Sequence, residues 1–117
     1  MDDNKNAFKR AGFAVLRGST WSYLLKNIHV IIGRKPTSES SKWLVDIDLG
    51  DSRHVARQHA LLVYNFRSQC FEIRCLTKKG RIKVNGRSYR FQDGAVPLSH
   101  RSVVTIHNCS FVFLLPS

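Results

Sequence analysis

The sequence predicts an all-β sandwich, and three observations carry that prediction. Apolar residues recur with a period of two in short runs, as where Phe71, Ile73 and Cys75 alternate with Glu72 and Arg74. Turn formers divide these runs at close spacing: Gly18-Ser19, Gly33-Arg34, Asn85-Gly86 and His107-Asn108. No stretch sustains a 3.6-residue apolar period between capping residues, so nothing is left to build a helical layer. The chain has 117 residues, 43% of them hydrophobic, enough for one domain whose core needs no disulfide or metal staple.

Residues 1–10 are polar and hold Lys5, Lys9 and Arg10; they are expected to be a flexible basic tail, with the domain proper at 11–117. A first strand at 12–17 ends at Gly18-Ser19, and an aromatic patch follows at 21–25. The next strand, 27–32, should place Ile28, Val30 and Ile32 on one face. A loop at 35–41 contains Pro36, which has no amide for a ladder. A short strand at 43–47 then leads into a charged loop at 48–55. Strands at 60–64 and 70–76 form a hairpin across about five loop residues. Lys78, Lys79, Arg81 and Lys83 crowd the turn after it, and Asn85-Gly86 is a pair that tolerates positive φ. Strands at 103–106 and 109–115 close the chain, with Phe111, Phe113 and Leu115 sharing a face. Trp21, Tyr23 and Trp43 read as core or edge packing.

Charge is the strongest compositional signal. Nineteen Lys and Arg against eight Asp and Glu give a formal +11, a field that favours encounters with polyanions such as phosphorylated or acidic protein and nucleic acid. No apolar run approaches the roughly 18 residues of a membrane span, and the opening residues lack a signal core, so neither membrane insertion nor secretion is expected. Cys70, Cys75 and Cys109 are odd in number and match no zinc or redox spacing, which fits reduced thiols in the nucleus or cytoplasm. The five histidines form no metalloprotease motif or nucleophile pair, and no glycine-rich loop cradles a nucleotide. Neither an enzyme, a metal site nor a cofactor is expected. The basic stretch at 78–90 contains Tyr89 alone as an aromatic, so it lacks the interleaved rings of single-strand binders, and no recognition helix is visible for duplex DNA. Contact with DNA through non-specific charge stays open.

Arg34 and Arg57 stand out as anion ligands. Arginine's planar fork donates two parallel, charge-assisted hydrogen bonds to a phosphate and keeps its charge at any working pH. The competing readings are a strand-end cap or an ion pair with Asp46 or Asp48 for Arg34, and a loop-stabilising pair for Arg57. Arg53 and His54 flank the same loop and are candidates for its rim. Lys79 stands between anion contact and a solvated lysine. His59, before an apolar strand, reads as a satisfied, half-buried structural residue.

The order Gly33-Arg34, then Arg57-x-His59 before a strand, then Val84-Asn85-Gly86 before a final strand pair resembles the forkhead-associated (FHA) domain over about 11–116. Within that family, Phe13-Ala14-x-Leu16-x-Gly18, Tyr23-Leu24 and Ile32-Gly33-Arg34 are most similar to K-type forkhead and fungal forkhead-like transcription regulators, and Asp46-Ile47-Asp48-Leu49 resembles the family's acidic strand before the arginine-histidine loop. The resemblance implies a sandwich of about eleven strands with binding loops at one end, and a nuclear protein-interaction module that takes phosphothreonine in an extended peptide. It implies that Arg34 contacts phosphate or peptide, with Arg57 in the same rim. Gly33, His59, Asn85 and Gly86 would support the site. Two positions depart from the family pattern: Ala56 replaces a serine whose hydroxyl donates to phosphate, and Lys79-Gly80 replaces Asn-Gly, whose amide holds the peptide backbone. Losing a hydrogen bond to a charged group, about 1.5–3 kcal/mol, would weaken binding by about ten- to a hundredfold. The other readings are an FHA domain that binds an unphosphorylated partner, or a basic accessory domain on DNA.

Overall fold

Residues 14–36 and 43–116 are described by a computed structural model. The tail expected at 1–10 and most of the loop expected at 35–41 lie outside them. Eleven strands make two sheets: β1 (Ala14–Arg17), β2 (Ser22–Leu25), β3 (His29–Gly33), β4 (Ile47–Asp48), β5 (Ala60–Asn65), β6 (Cys70–Cys75), β7 (Ile82–Val84), β8 (Arg87–Tyr89), β9 (Ala95–Pro97), β10 (Val103–Ile106) and β11 (Cys109–Leu114). One 3-10 turn, Phe91–Asp93, separates β8 from β9. The six-stranded sheet runs β2-β1-β11-β10-β7-β8 and the five-stranded sheet β4-β3-β5-β6-β9. Only β3 and β4 pair in parallel among these strands.

The alternation read from the sequence becomes burial. Phe71, Ile73 and Cys75 of β6 face inward, as do Phe111 and Phe113 of β11, and they meet Leu16, Val30, Ile32, Leu62, Val104 and Ile106 between the sheets. Each large apolar side chain buried this way contributes roughly 1.5–3 kcal/mol relative to exposure. Asn85 (φ 52°) and Gly86 (φ 85°) both take left-handed backbone and turn β7 tightly into β8, with Val84 opposite Arg87. This is the geometry that two-residue hairpin loops require.

The structure corrects several expected details. Ile28 is 53% exposed because β3 begins only at His29, two residues after the expected start; its carbonyl takes the Tyr64 amide at the sheet's end. Leu115 lies beyond β11 and is 41% exposed. The strand expected at 43–47 contracts to Ile47–Asp48, because the Asp46 carboxylate accepts the Ile31 amide at 2.7 Å and the ladder starts only after it. Lys83 sits on β7, not in the preceding turn.

Register determines where the loops meet. Ala60 at the start of β5 pairs with Ile32 near the end of β3 and with Cys75 at the end of β6. Lys83 near the start of β7 pairs with Thr105 near the end of β10. The segments after β3, before β5 and after β6, together with the β10–β11 turn, therefore gather at one end of the sandwich.

Candidate functional site

At that end, Gly33-Arg34 lies against Ala56-Arg57. The Arg34 amide donates to the Ala56 carbonyl at 2.9 Å, and Gly33 packs so closely that a Cβ there would overlap the Arg57 carbonyl oxygen. Glycine is required here for space, and its absence of a side chain is what lets two arginine-bearing segments run side by side. The intervening loop is anchored by Val55, buried in the core, and by the Lys35 amide donating to the Gly50 carbonyl at 2.7 Å.

Trp43 joins the two arginines. Its Nε1 donates to the Arg34 carbonyl at 2.9 Å, and the Arg57 guanidinium carbon stands 4.9 Å from its ring centre, within cation–π range. Trp43, expected in core or edge packing, is thus a rim residue. Nothing in its sequence neighbourhood marks this, because the contact needs the chain to return across a loop. The Asp46 and Asp48 carboxylates accept the Ile31 and Gly50 amides, so both already serve the backbone. The Arg34 Nε is buried and finds no hydrogen-bond acceptor among the described residues.

His59 fastens this rim to the loop after β6. Its Nδ1 accepts the Ala56 amide at 3.0 Å, so the other nitrogen, 2.9 Å from the Arg81 carbonyl, carries the proton and donates. The ring is 3% exposed, and burial lowers its pKa below the ordinary 6.5; the hydrogen bond to Arg81 opposes this and the charge of His107 adds to it. Gly80 passes close to the imidazole: a Cβ there would come within 3.2 Å of its Cε1. Lys79, next to Gly80, is exposed at the same end, and its amide donates to Thr77 Oγ1 at 3.4 Å.

Arg53 and His54 occupy the exposed part of the 51–55 turn. The His54 ring stacks on His107 of the β10–β11 turn, with centres 4.5 Å apart and planes at 17°. Cys109 Sγ also reaches the Leu49 carbonyl at 3.7 Å, so the β10–β11 hairpin braces this loop from behind. Asn85 and Gly86 lie elsewhere, at the opposite end of β7 from the 77–81 loop. Asn85 Oδ1 accepts the Val103 amide at 2.8 Å, so their contribution is to hold β7, β8 and β10 together.

The arrangement offers fixed cations and amide donors on a β scaffold. It suits capture of a compact anion by charge-assisted hydrogen bonds.

The FHA domain family pattern matches residues 30–107, which include all of these loops. The chain is 30% identical over 98% of its length to "Fork head protein homolog 2" of Schizosaccharomyces pombe, of which it spans 19%. It is likewise 30% identical over 99% of its length to "Transcriptional activator FHA1" of Nicotiana tabacum, of which it spans 54%. Among solved structures, the N-terminal FHA domain of Saccharomyces cerevisiae Rad53p in complex with a phosphothreonine peptide superposes with a TM-score of 0.69 at 14% identity, covering 88% of this chain and 93% of that one. With its two sheets, its loop arrangement and a family match over most of its length, the chain belongs to the FHA domain family.

Proposed function

We propose that this domain binds a phosphothreonine-containing segment of a partner protein at the Arg34–Arg57 rim, as a protein-interaction module of a nuclear, transcription-related regulator. The observation that carries this reading is the shared frame of the two arginines. Arg34 and Arg57 are held side by side by the Arg34 amide to Ala56 carbonyl bond and by Trp43, and Arg34 Nε is a buried donor without an acceptor among the described residues. A phosphate oxygen would supply that acceptor once the Arg34 side chain turns to the rim surface. Lys79, Arg53 and His54 add charge or donors around the rim, while Gly33 and His59 hold its shape. The relatives named as a fork head protein and a transcriptional activator support the nuclear setting.

Selectivity is expected to be modest. Ala56 brings no hydroxyl, and Lys79 provides a point charge without the paired donor and acceptor of an amide. Phosphate attraction is retained, and the grip on a particular peptide backbone is loosened.

The test is titration with a degenerate phosphothreonine peptide library, with its unphosphorylated counterpart and the Arg34→Ala protein in parallel. Binding that needs the phosphate and falls at least about tenfold in the variant supports the reading. Equal binding of both libraries points instead to an FHA domain that holds an unphosphorylated partner.

A further inference from the structure

A second concentration of cations lies beyond the rim, around the 3-10 turn between β8 and β9. Phe91, the first residue of that turn, is 36% exposed although it is fully apolar. The Arg74 guanidinium carbon on β6 is 5.9 Å from its ring centre and Lys78 Nζ is 5.8 Å from it. On β8, the Arg87 guanidinium carbon is 5.9 Å from the ring centre of Tyr89. A cleft of about 310 Å³, lined in part by Arg87, Tyr89 and Pro97, opens between β8 and β9, the edge strands of the two sheets.

Two carboxylates lie nearby, and Asp93 itself lines the cleft. Asp93 Oδ2 accepts the Arg90 amide at 2.6 Å, and Glu72 Oε2 accepts from Asn65 Nδ2 at 3.1 Å. Arg74 Nε is buried and has no acceptor among the described residues. The surface thus combines the exposed Phe91 ring and the half-buried Tyr89 ring with the cations Arg74, Lys78 and Arg87. From the sequence, the basic stretch at 78–90 held a single aromatic. The fold adds Phe91 and brings Arg74 to it from a different strand.

From this combination we infer that the Phe91 side of the domain is a binding surface for single-stranded nucleic acid, separate from the arginine rim. The cations face the sugar–phosphate backbone, and unpaired bases stack on Phe91 or on the guanidinium plane of Arg87. An acidic peptide would use the charges and leave the exposed Phe91 ring without a role. A duplex keeps its bases stacked internally, and no described helix is available to enter its major groove.

The test measures fluorescence anisotropy of the 117-residue chain with end-labelled 12-nucleotide single-stranded DNA and RNA of one sequence, the matching duplex, and an acidic peptide of equal charge. Wild type should prefer the single strands, and the DNA and RNA arms identify which of the two binds more tightly. Phe91→Ala should weaken single-strand binding about fivefold or more, in line with loss of one stacked base. Phe91→Tyr should retain binding, while Phe91→Leu should not. All three should keep the thermal midpoint and the response to phosphothreonine peptide, since Phe91 is outside the rim. No single-strand binding, equal binding by duplex or peptide, or unchanged affinity in Phe91→Ala would each overturn the inference.

Discussion

His59 Nδ1 accepts the backbone amide of Ala56 at 3.0 Å, and this bond fixes the protonation state of the ring. Because Nδ1 is an acceptor and Nε2 donates to Arg81, only the neutral Nε2–H imidazole satisfies both partners. A second proton would set a donor against the Ala56 amide and place charge in a buried site. The unfolded chain, with histidine at its ordinary value of 6.5, takes up that proton more readily than the folded one. The stability gained from the neutral ring is therefore complete above about pH 6.5 and is lost as the pH falls through the lowered folded-state value. Urea midpoints measured from pH 7.5 to 5 should fall in wild type more steeply than in His59→Gln. At pH 7.5 the variant should already be less stable by on the order of 1–3 kcal/mol. Equal slopes in the two proteins would contradict the assigned role.

Gly33→Ala tests the close approach beneath the rim. The new Cβ would meet the Arg57 carbonyl oxygen, a backbone atom that can move only with its loop. A loss of about 1–3 kcal/mol in thermal or urea unfolding is expected, of the order seen when a packed site is overfilled. Phosphopeptide binding should fall with it, since Arg34 and Arg57 would no longer share one frame. An unchanged midpoint would show that the two segments have more room than the structure gives them.

Ala56→Ser adds a hydroxyl beside the proposed phosphate site without disturbing the His59 bond, which uses the backbone amide alone. On the proposed function, affinity for a phosphothreonine peptide should rise about tenfold, corresponding to about 1.5 kcal/mol for one hydrogen bond to a charged group. Calorimetric titration of one peptide against both proteins measures it directly.

Trp43→Ala removes the ring under Arg57 and the indole donor to the Arg34 carbonyl. An exposed cation–π contact is worth about 0.5–1 kcal/mol, so phosphopeptide affinity should drop by about two- to fivefold. Trp43→Phe keeps the ring and loses the donor, and should fall between the two.

The sequence was read well where side chains alternate and poorly where the chain returns from a distance. Phe71, Ile73, Phe111 and Phe113 announced their strands because burial on one sheet face leaves a period of two. Strands β8 and β9 are three residues each, too short to show that period, and their number follows only from the family resemblance. Gly33, Arg34, Arg57 and His59 were legible through the order of their motifs. The clamp of His59 on Arg81, the stack of His54 on His107 and the contact of Trp43 with Arg57 join residues from different loops, and no local pattern encodes such pairs. In β7, Ile82 and Val84 alternate around Lys83, but the run of cations at Lys78, Lys79 and Arg81 makes Lys83 look like part of the preceding turn.

The most direct measurement is a titration of isotopically labelled protein with a phosphothreonine peptide, followed by amide and arginine side-chain resonances. Binding at the proposed rim should perturb Gly33, Arg34, Ala56, Arg57 and Gly80 together, with the Arg34 Nε–H moving as it gains an acceptor. Perturbations confined to the outer face of either sheet, or equal shifts with the unphosphorylated peptide, would contradict the proposal that Arg34 and Arg57 form a phosphate site.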